Sequence, residues 1–326
     1  EIDEKEGSVQ LAARDRRLRK AEAVGPHGWI TKNDEAAYAF FVEALNVTQG
    51  AIPPGNATEV MYEPINCADL TVTATGQVEP HIILAHSTGM GAMQFNRVTR
   101  ALAPRRCLVP DFTGYGASSH PPLGTKDWTV DRDALKELAL QAETPVDLIG
   151  HSYGGFLVLQ VAREVPQAVR RVLVHEPVLW GTLRSAGQAE HRAAFDALFD
   201  RMLSVERGGE AWLEGFVDFW SGPGAWSALT PERAEDWRRG APLIAAEVHA
   251  LADDPTPHTA WAALPMPVCV TYGEDTVPME KHVCSLLSEA LPNATLVGVA
   301  GGHMAPVTHA RAWLDVVQPW VARDGS

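Results

Sequence analysis

The 326-residue chain reads as an α/β protein: a mostly parallel central sheet with helices on both faces, plus a helical insertion. Three observations predict this. From about residue 60, short apolar runs alternate with stretches whose apolar residues recur at helical spacing. One such run, Val146 to Ile149, stops at Gly150 and gives way to a helical pattern at Phe156, Leu157, Leu159 and Val161. Between Val178 and Leu264 the alternation lapses into a tryptophan-rich segment and then resumes.

A hydrophobic share of 46% allows a sizeable core with room for an insertion. The net charge of −14 argues against nucleic acid or an anionic membrane as partner, because both repel an acidic surface. No stretch approaches the ~20 unbroken apolar residues of a membrane span. Cys67, Cys107, Cys269 and Cys284 are scattered without a C-x-x-C pair, so packing is their expected role and disulfides stay open. Asn46, Asn56 and Asn293 sit in N-x-T, which matters only in a glycosylating pathway. A start at Glu1 without methionine fits a removed leader or tag. The compartment therefore leans cytoplasmic, with a processed secreted form left open.

Taken in order, residues 1–22 carry dense mixed charge and read as a solvated arm. Asn33 or Asp34 can cap a helix to about Leu45, whose stripe of Tyr38, Phe41, Val42 and Leu45 must pack on the main domain or a second subunit. Pro53-Pro54-Gly55 breaks the chain. The expected organisation is an N-terminal extension over 1–55, a core over 56–178 and 264–326, and an insertion over 179–263. The core opens with a hairpin of Glu59–Ile65 and Leu70–Ala74. Strands follow at Pro80–Ala85, Cys107–Pro110, Val146–Ile149, Arg171–His175, Pro267–Tyr272 and Thr295–Val299. Helices are expected at about 92–102, Val130 to Gln141 and from the Gly150 turn to Val165. Such strand–helix units imply a parallel sheet covered on both faces.

The chemistry concentrates at Gly150-His151-Ser152-Tyr153-Gly154. A strand that turns sharply into a helix holds its central residue strained and its side chain exposed, and the crowded backbones need small neighbours. Ser152 is the candidate nucleophile. Ligands of such sheets gather at the strands' carboxyl ends. There, His86-Ser87-Thr88-Gly89-Met90-Gly91 can aim backbone N–H groups at a developing oxyanion beside the N–H of Tyr153. Asp111, opening a glycine-containing loop, reads as a loop-fixing residue. His303, directly after Gly301-Gly302 at the last strand's end, fits a general base reaching Ser152; His86 and His151 read as structural neighbours.

These pieces resemble the α/β-hydrolase fold family in their order: His86-Ser87-Thr88-Gly89, Asp111-x-x-Gly114-x-Gly116-x-Ser118, Gly150-His151-Ser152-Tyr153-Gly154-Gly155 and Gly302-His303-Met304. The resemblance implies a serine hydrolase with Ser152 as nucleophile, His303 as base, and the N–H groups of Tyr153 and Thr88, or Ser87, as oxyanion hole. The family usually takes its third triad member from the loop after the seventh strand, three residues past a glycine. Here that loop is Gly273-Glu274-Asp275-Thr276; Thr276 holds the usual position and Asp275 stands one place early. A minority takes the acid after the sixth strand, which here ends His175-Glu176-Pro177. Glu176 and Asp275 are the two candidates.

An insertion after the sixth strand in this family is a helical cap. Trp180, Trp212, Trp220, Trp226, Trp237 and Trp261 lie in it, and Ser221-Gly222-Pro223-Gly224 reads as a turn or hinge. Trp180, Phe219, Trp220, Trp226 and Met304 are the expected substrate contacts, since ligand sites are lined mainly by apolar side chains. The expected activity is cleavage of a carboxylic ester or lactone of an apolar or aromatic small molecule through an acyl-enzyme, with no metal or organic cofactor. Amide, thioester or C–C bond cleavage on the same residues, or a non-catalytic ligand-binding role, are the alternatives. A homodimer through N-terminal or cap helices is open.

Overall fold

A computed structural model describes residues 70–322. The N-terminal extension, the first strand of the expected opening hairpin and Cys67 lie outside them. Seven strands form one sheet in the order β1-β3-β2-β4-β5-β6-β7. They are β1 (Val72–Thr75), β2 (Val78–Ala85), β3 (Arg105–Pro110), β4 (Val146–His151), β5 (Val169–His175), β6 (Val268–Gly273) and β7 (Ala294–Val299). All neighbours are parallel except β1, which runs antiparallel to β3. The fold class is the one expected, and most strands extend a residue or two beyond the sequence-based bounds.

Alternation along the strands separates two apolar layers. Ile83, Ala85, Leu148, Val172 and Val270 face a layer filled by α2 (Trp128–Gln141), α3 (Tyr153–Glu164) and α8 (Pro278–Ala290). Ile82, Leu84, Ile149, Leu173 and Cys269 face the opposite layer, built from α1 (Asn96–Leu102) and from α10 (Ala310–Ala322), which follows the one-turn α9 (Ala305–Thr308), with Phe95 and Trp313. Cys107, Cys269 and Cys284 are buried free thiols, so packing is their role. No helix among the described residues is long and apolar enough to cross a membrane.

The insertion folds as four helices, α4 (Trp180–Ala186), α5 (Ala189–Leu203), α6 (Glu210–Ser221) and α7 (Pro231–Ala252), with a closing 3-10 turn at His258–Ala263. Its apolar faces, including Trp180, Phe195, Trp212, Val217, Trp237 and Ile244, continue the first core layer. That continuity seats the insertion over the carboxyl ends of the strands. The turn after α6 is held shut by Asp218, whose carboxylate accepts from the N–H groups of Gly224 and Trp226 at 2.8 Å each.

Candidate active site

Ser152 sits between β4 and α3 with φ 54° and ψ −117°, a conformation that costs a non-glycine residue about 1–3 kcal/mol and persists only where its surroundings enforce it. The enforcement is steric. A Cβ on Gly154 would stand 2.0 Å from the Ala85 carbonyl oxygen, and one on Gly150 would stand 2.5 Å from that of Gly154. The Ser152 N–H also donates to the His175 carbonyl at 2.9 Å, tying the turn to β5.

The loop after β7 brings His303 to this serine. Its Nε2 lies 3.0 Å from Ser152 Oγ and its Nδ1 lies 2.8 Å from Glu176 Oε2. A carboxylate accepting from Nδ1 keeps the ring proton on that nitrogen and leaves the Nε2 lone pair facing the hydroxyl. Glu176 follows β5 with φ 42°, and its carboxylate is fully buried. The Gly273 N–H donates to Oε1 and the Thr276 hydroxyl to Oε2, each at 2.7 Å. Asp275, the other candidate acid, is exposed; only its backbone N–H is engaged nearby, on the Gly301 carbonyl. Burial holds His303 below the ordinary histidine range and therefore neutral. Burial raises the Glu176 carboxyl, against the pull of the His175 ring, the Gly273 N–H and the Thr276 hydroxyl.

In the loop after β2, the N–H of Ser87 donates to Gln94 Oε1, that of Gly89 to the Tyr115 hydroxyl, and that of Met90 to the Ser87 carbonyl. The N–H of Ser87, one of the expected oxyanion donors, is thereby engaged, and its hydroxyl also donates to Gln94. The Thr88 N–H stands between these engaged groups, and the Tyr153 N–H opens α3 beside Ser152. Asp111 fixes the neighbouring turn as expected, accepting from the Ala92 N–H at 2.6 Å.

Two buried polar networks hold these loops, and neither was anticipated from sequence. Gln94 accepts from Ser87 and donates Nε2–H to His151 Nδ1 at 2.9 Å, while His151 Nε2–H donates to the His303 carbonyl at 2.8 Å. The chain of bonds joins the β2 loop to the histidine loop, and it requires a neutral His151, which burial enforces. In the second network the Lys126 ammonium, with no exposed side-chain surface, meets Asp131 at 2.7 Å and Glu247 of α7 at 3.3 Å. Asp131 accepts from the Tyr153 hydroxyl at 2.7 Å and Glu247 from that of Tyr115 at 2.9 Å. The Thr88 side chain also hydrogen-bonds Glu247. The insertion is thus tied to both the β2 loop and the Ser152 turn. No signal in the sequence pairs a lysine, a helix aspartate and a glutamate so distant in the chain.

A cleft of about 550 Å³, counted with its open mouth, exposes Ser152, His303 and Thr88 to the insertion's underside. Val178, Trp180, Phe216, Trp220, Trp237 and Met304 wall it. Of the expected contacts, Trp180, Trp220 and Met304 line it. Phe219 instead lines an adjoining narrow apolar recess that shares Trp180, Phe216 and Trp220 with the cleft. Trp226 is outside both: its ring faces the Arg238 guanidinium, 5.8 Å away, so it braces α7 against the turn after α6. Phe216 and Trp237 belong to the wall, and only their aromatic character hinted at it. Among the described residues no cluster of His, Cys, Asp and Glu is arranged to hold a metal ion.

The model of the alpha/beta hydrolase family matches residues 82–316. The chain is 27% identical over 278 residues to the magnesium-chelatase 30 kDa subunit of Rhodobacter capsulatus, covering 78% of this chain and 91% of that one. It is 26% identical over 292 residues to the 2-hydroxymuconate semialdehyde hydrolase of Pseudomonas sp. (strain CF600), covering 82% and 96%. The fold is shared with the enol-lactonase from Burkholderia xenovorans LB400, with a TM-score of 0.59 and 16% identity over 78% of this chain and 96% of the other. With the seven-stranded sheet, the strained serine and the family match over most of the described residues, the chain belongs to the alpha/beta hydrolase family.

Proposed function

We propose that this protein is a serine hydrolase that cleaves a carboxylic ester or lactone of an uncharged apolar or aromatic small molecule through an acyl-enzyme. The observation that carries the reading is the unbroken line Ser152 Oγ, His303 Nε2, His303 Nδ1, Glu176 Oε2, with links of 3.0 and 2.8 Å. Such a line lets a weak nucleophile shed its proton as it attacks. Ser152 Oγ bonds to the carbonyl carbon, its proton passes to His303 Nε2, and the carbonyl oxygen takes the negative charge. The N–H groups of Thr88 and Tyr153 are the assigned donors to that charge. Glu176 stabilises the imidazolium, which then protonates the leaving oxygen. Water, deprotonated by His303, releases the acid in the second half.

The substrate class follows from the wall. No Lys, Arg, Asp or Glu lines the cleft among the described residues, and a carboxylate brought there would lose its hydration without a partner. This weighs against a substrate like that of the relative named for 2-hydroxymuconate semialdehyde, a carboxylate by name. The test is labelling with a fluorophosphonate probe, followed by hydrolysis of neutral p-nitrophenyl esters of graded chain length and of neutral lactones. Wild type should label and turn over, and Ser152→Ala should do neither. A folded wild type that resists the probe sinks the reading in favour of a non-catalytic binding role.

A further inference from the structure

Trp220, at the last turn of α6, lies against the imidazole of His303 with ring centroids 3.8 Å apart and planes inclined by 27°. This is a ring from the insertion resting on the base of the core. Its placement is fixed. Phe219 meets the indole edge-on at 4.8 Å, and Asp218 pins the turn that follows through Gly224 and Trp226.

The chemistry proposed above asks His303 to become a cation in a buried place. As Ser152 Oγ forms its bond to the carbonyl carbon, the carbonyl π pair moves to oxygen and the Oγ proton moves to Nε2. The ring then carries a positive charge until it gives that proton to the leaving oxygen. Glu176 answers this charge at one edge, through Nδ1. The other groups around the ring are His151, its centroid 5.0 Å away and tilted by 48°, and beyond it His175, tilted by 58° against His151 at 5.5 Å. Both are held neutral by burial and supply no counter-charge. The indole face does, because the negative face of an aromatic quadrupole attracts a cation, tryptophan's most strongly.

We propose that Trp220 is a positioning residue for the proton transfer: its π face stabilises the imidazolium form of His303 and holds that ring between Ser152 and Glu176. The insertion is then part of the proton-transfer apparatus as well as a substrate wall, and seating α6 completes the site. The proposal rests on the serine-hydrolase reading.

The experiment compares wild type, Trp220→Phe and Trp220→Leu, each checked for folding by circular dichroism. The readouts are the rate constant for fluorophosphonate labelling, kcat and KM for p-nitrophenyl butyrate, and the acid limb of kcat/KM. Loss of the indole face should lower the labelling rate and kcat of Trp220→Leu about ten-fold, equivalent to about 1.4 kcal/mol, with KM within about three-fold of wild type. A face that stabilises the protonated ring raises its pKa, so its removal should also move the acid limb to lower pH. Trp220→Phe, keeping a weaker π face, should fall between the two, and it carries the comparison alone if Trp220→Leu does not fold. Unchanged labelling rate and acid limb with only KM altered would overturn the proposal and leave Trp220 as pocket wall. A folded wild type that does not label overturns the hydrolase reading and this proposal with it.

Discussion

The hydroxyl of Thr276 donates to Glu176 Oε2 across 2.7 Å, from a turn at the end of β6 to a carboxylate at the end of β5. The same carboxylate oxygen receives the Nδ1–H of His303. Thr276 occupies the place where the resembled family most often carries the acid, and here it donates to a carboxylate that stands one strand earlier. Two loops therefore share one carboxylate, and substitution separates their contributions.

Glu176→Gln should lower kcat by about 10³–10⁴, because an amide cannot stabilise the imidazolium and favours the wrong tautomer. Asp275→Asn, at an exposed position, should stay within about two-fold of wild type. Thr276→Val removes one neutral donor and should cost about five-fold in kcat, in line with about 1 kcal/mol for such a bond. Steady-state kinetics on a neutral p-nitrophenyl ester reads all three, and equal losses at Asp275 and Glu176 would contradict the assignment.

The buried histidines make the protein acid-sensitive. Burial lowers the pKa of His86 and His175 to about 3 and that of His151 well below the ordinary value, and it lowers His303 too. Below about pH 6.5 the unfolded chain binds protons at these rings and the native state does not, so stability falls as pH falls. Each such ring adds about 1.4 kcal/mol per pH unit to that slope, offset where the buried Glu176, Glu247, Asp254 and Glu280 carboxyls, raised by burial, take up protons in the native state. Urea denaturation between pH 7.5 and 5 should show a sharp loss below 6.5. The acid limb of kcat/KM should lie below pH 6.5, since the base is active when neutral; a limb at or above 6.5 would count against a buried neutral His303.

Lys126 compensates two buried carboxylates, Asp131 and Glu247, one on the core and one on the insertion. Lys126→Met should destabilise the fold by about 3–5 kcal/mol, because removing one partner strands the other charges. Lys126→Met with Glu247→Leu together should recover part of that loss. Chemical denaturation of the single and double variants measures the coupling, and additive effects would show that the three groups do not act as a unit.

Gln94 is the bridge between the loop after β2 and the histidine loop. Gln94→Leu leaves the Ser87 N–H and His151 Nδ1 buried without partners, at about 1–3 kcal/mol each. Stability should fall accordingly, and kcat should fall more than KM rises because both loops lose a tether. Gln94→Glu, which keeps the acceptor for Ser87 but sets a buried carboxylate against the His151 Nδ1 lone pair, should lose at least as much stability near neutral pH as Gln94→Leu.

What the sequence determined by itself is the part of the protein written in contiguous stretches. The alternation of strands and helices follows from local periodicity. The Gly150–Gly154 turn follows from the need for small residues where β4 meets α3, and His303 from its place after the last strand. Those signals survive without tertiary information because each is a local demand on backbone or side chain. The choice between Glu176 and Asp275 is different in kind: both sit at strand ends next to suitable loops, and the sequence offered no means to tell which carboxylate turns inward. The tertiary structure turns Glu176 inward, with φ 42° and the Gly273 and Thr276 donors on its carboxylate, and leaves Asp275 exposed. Likewise Trp226 and Trp220 look alike in sequence, yet one braces a helix and the other covers His303. Partners such as Gln94 with His151 and Lys126 with Glu247 lie far apart along the chain. Only the packing of the sheet and its insertion excludes water from them, and burial is what obliges those polar groups to find one another.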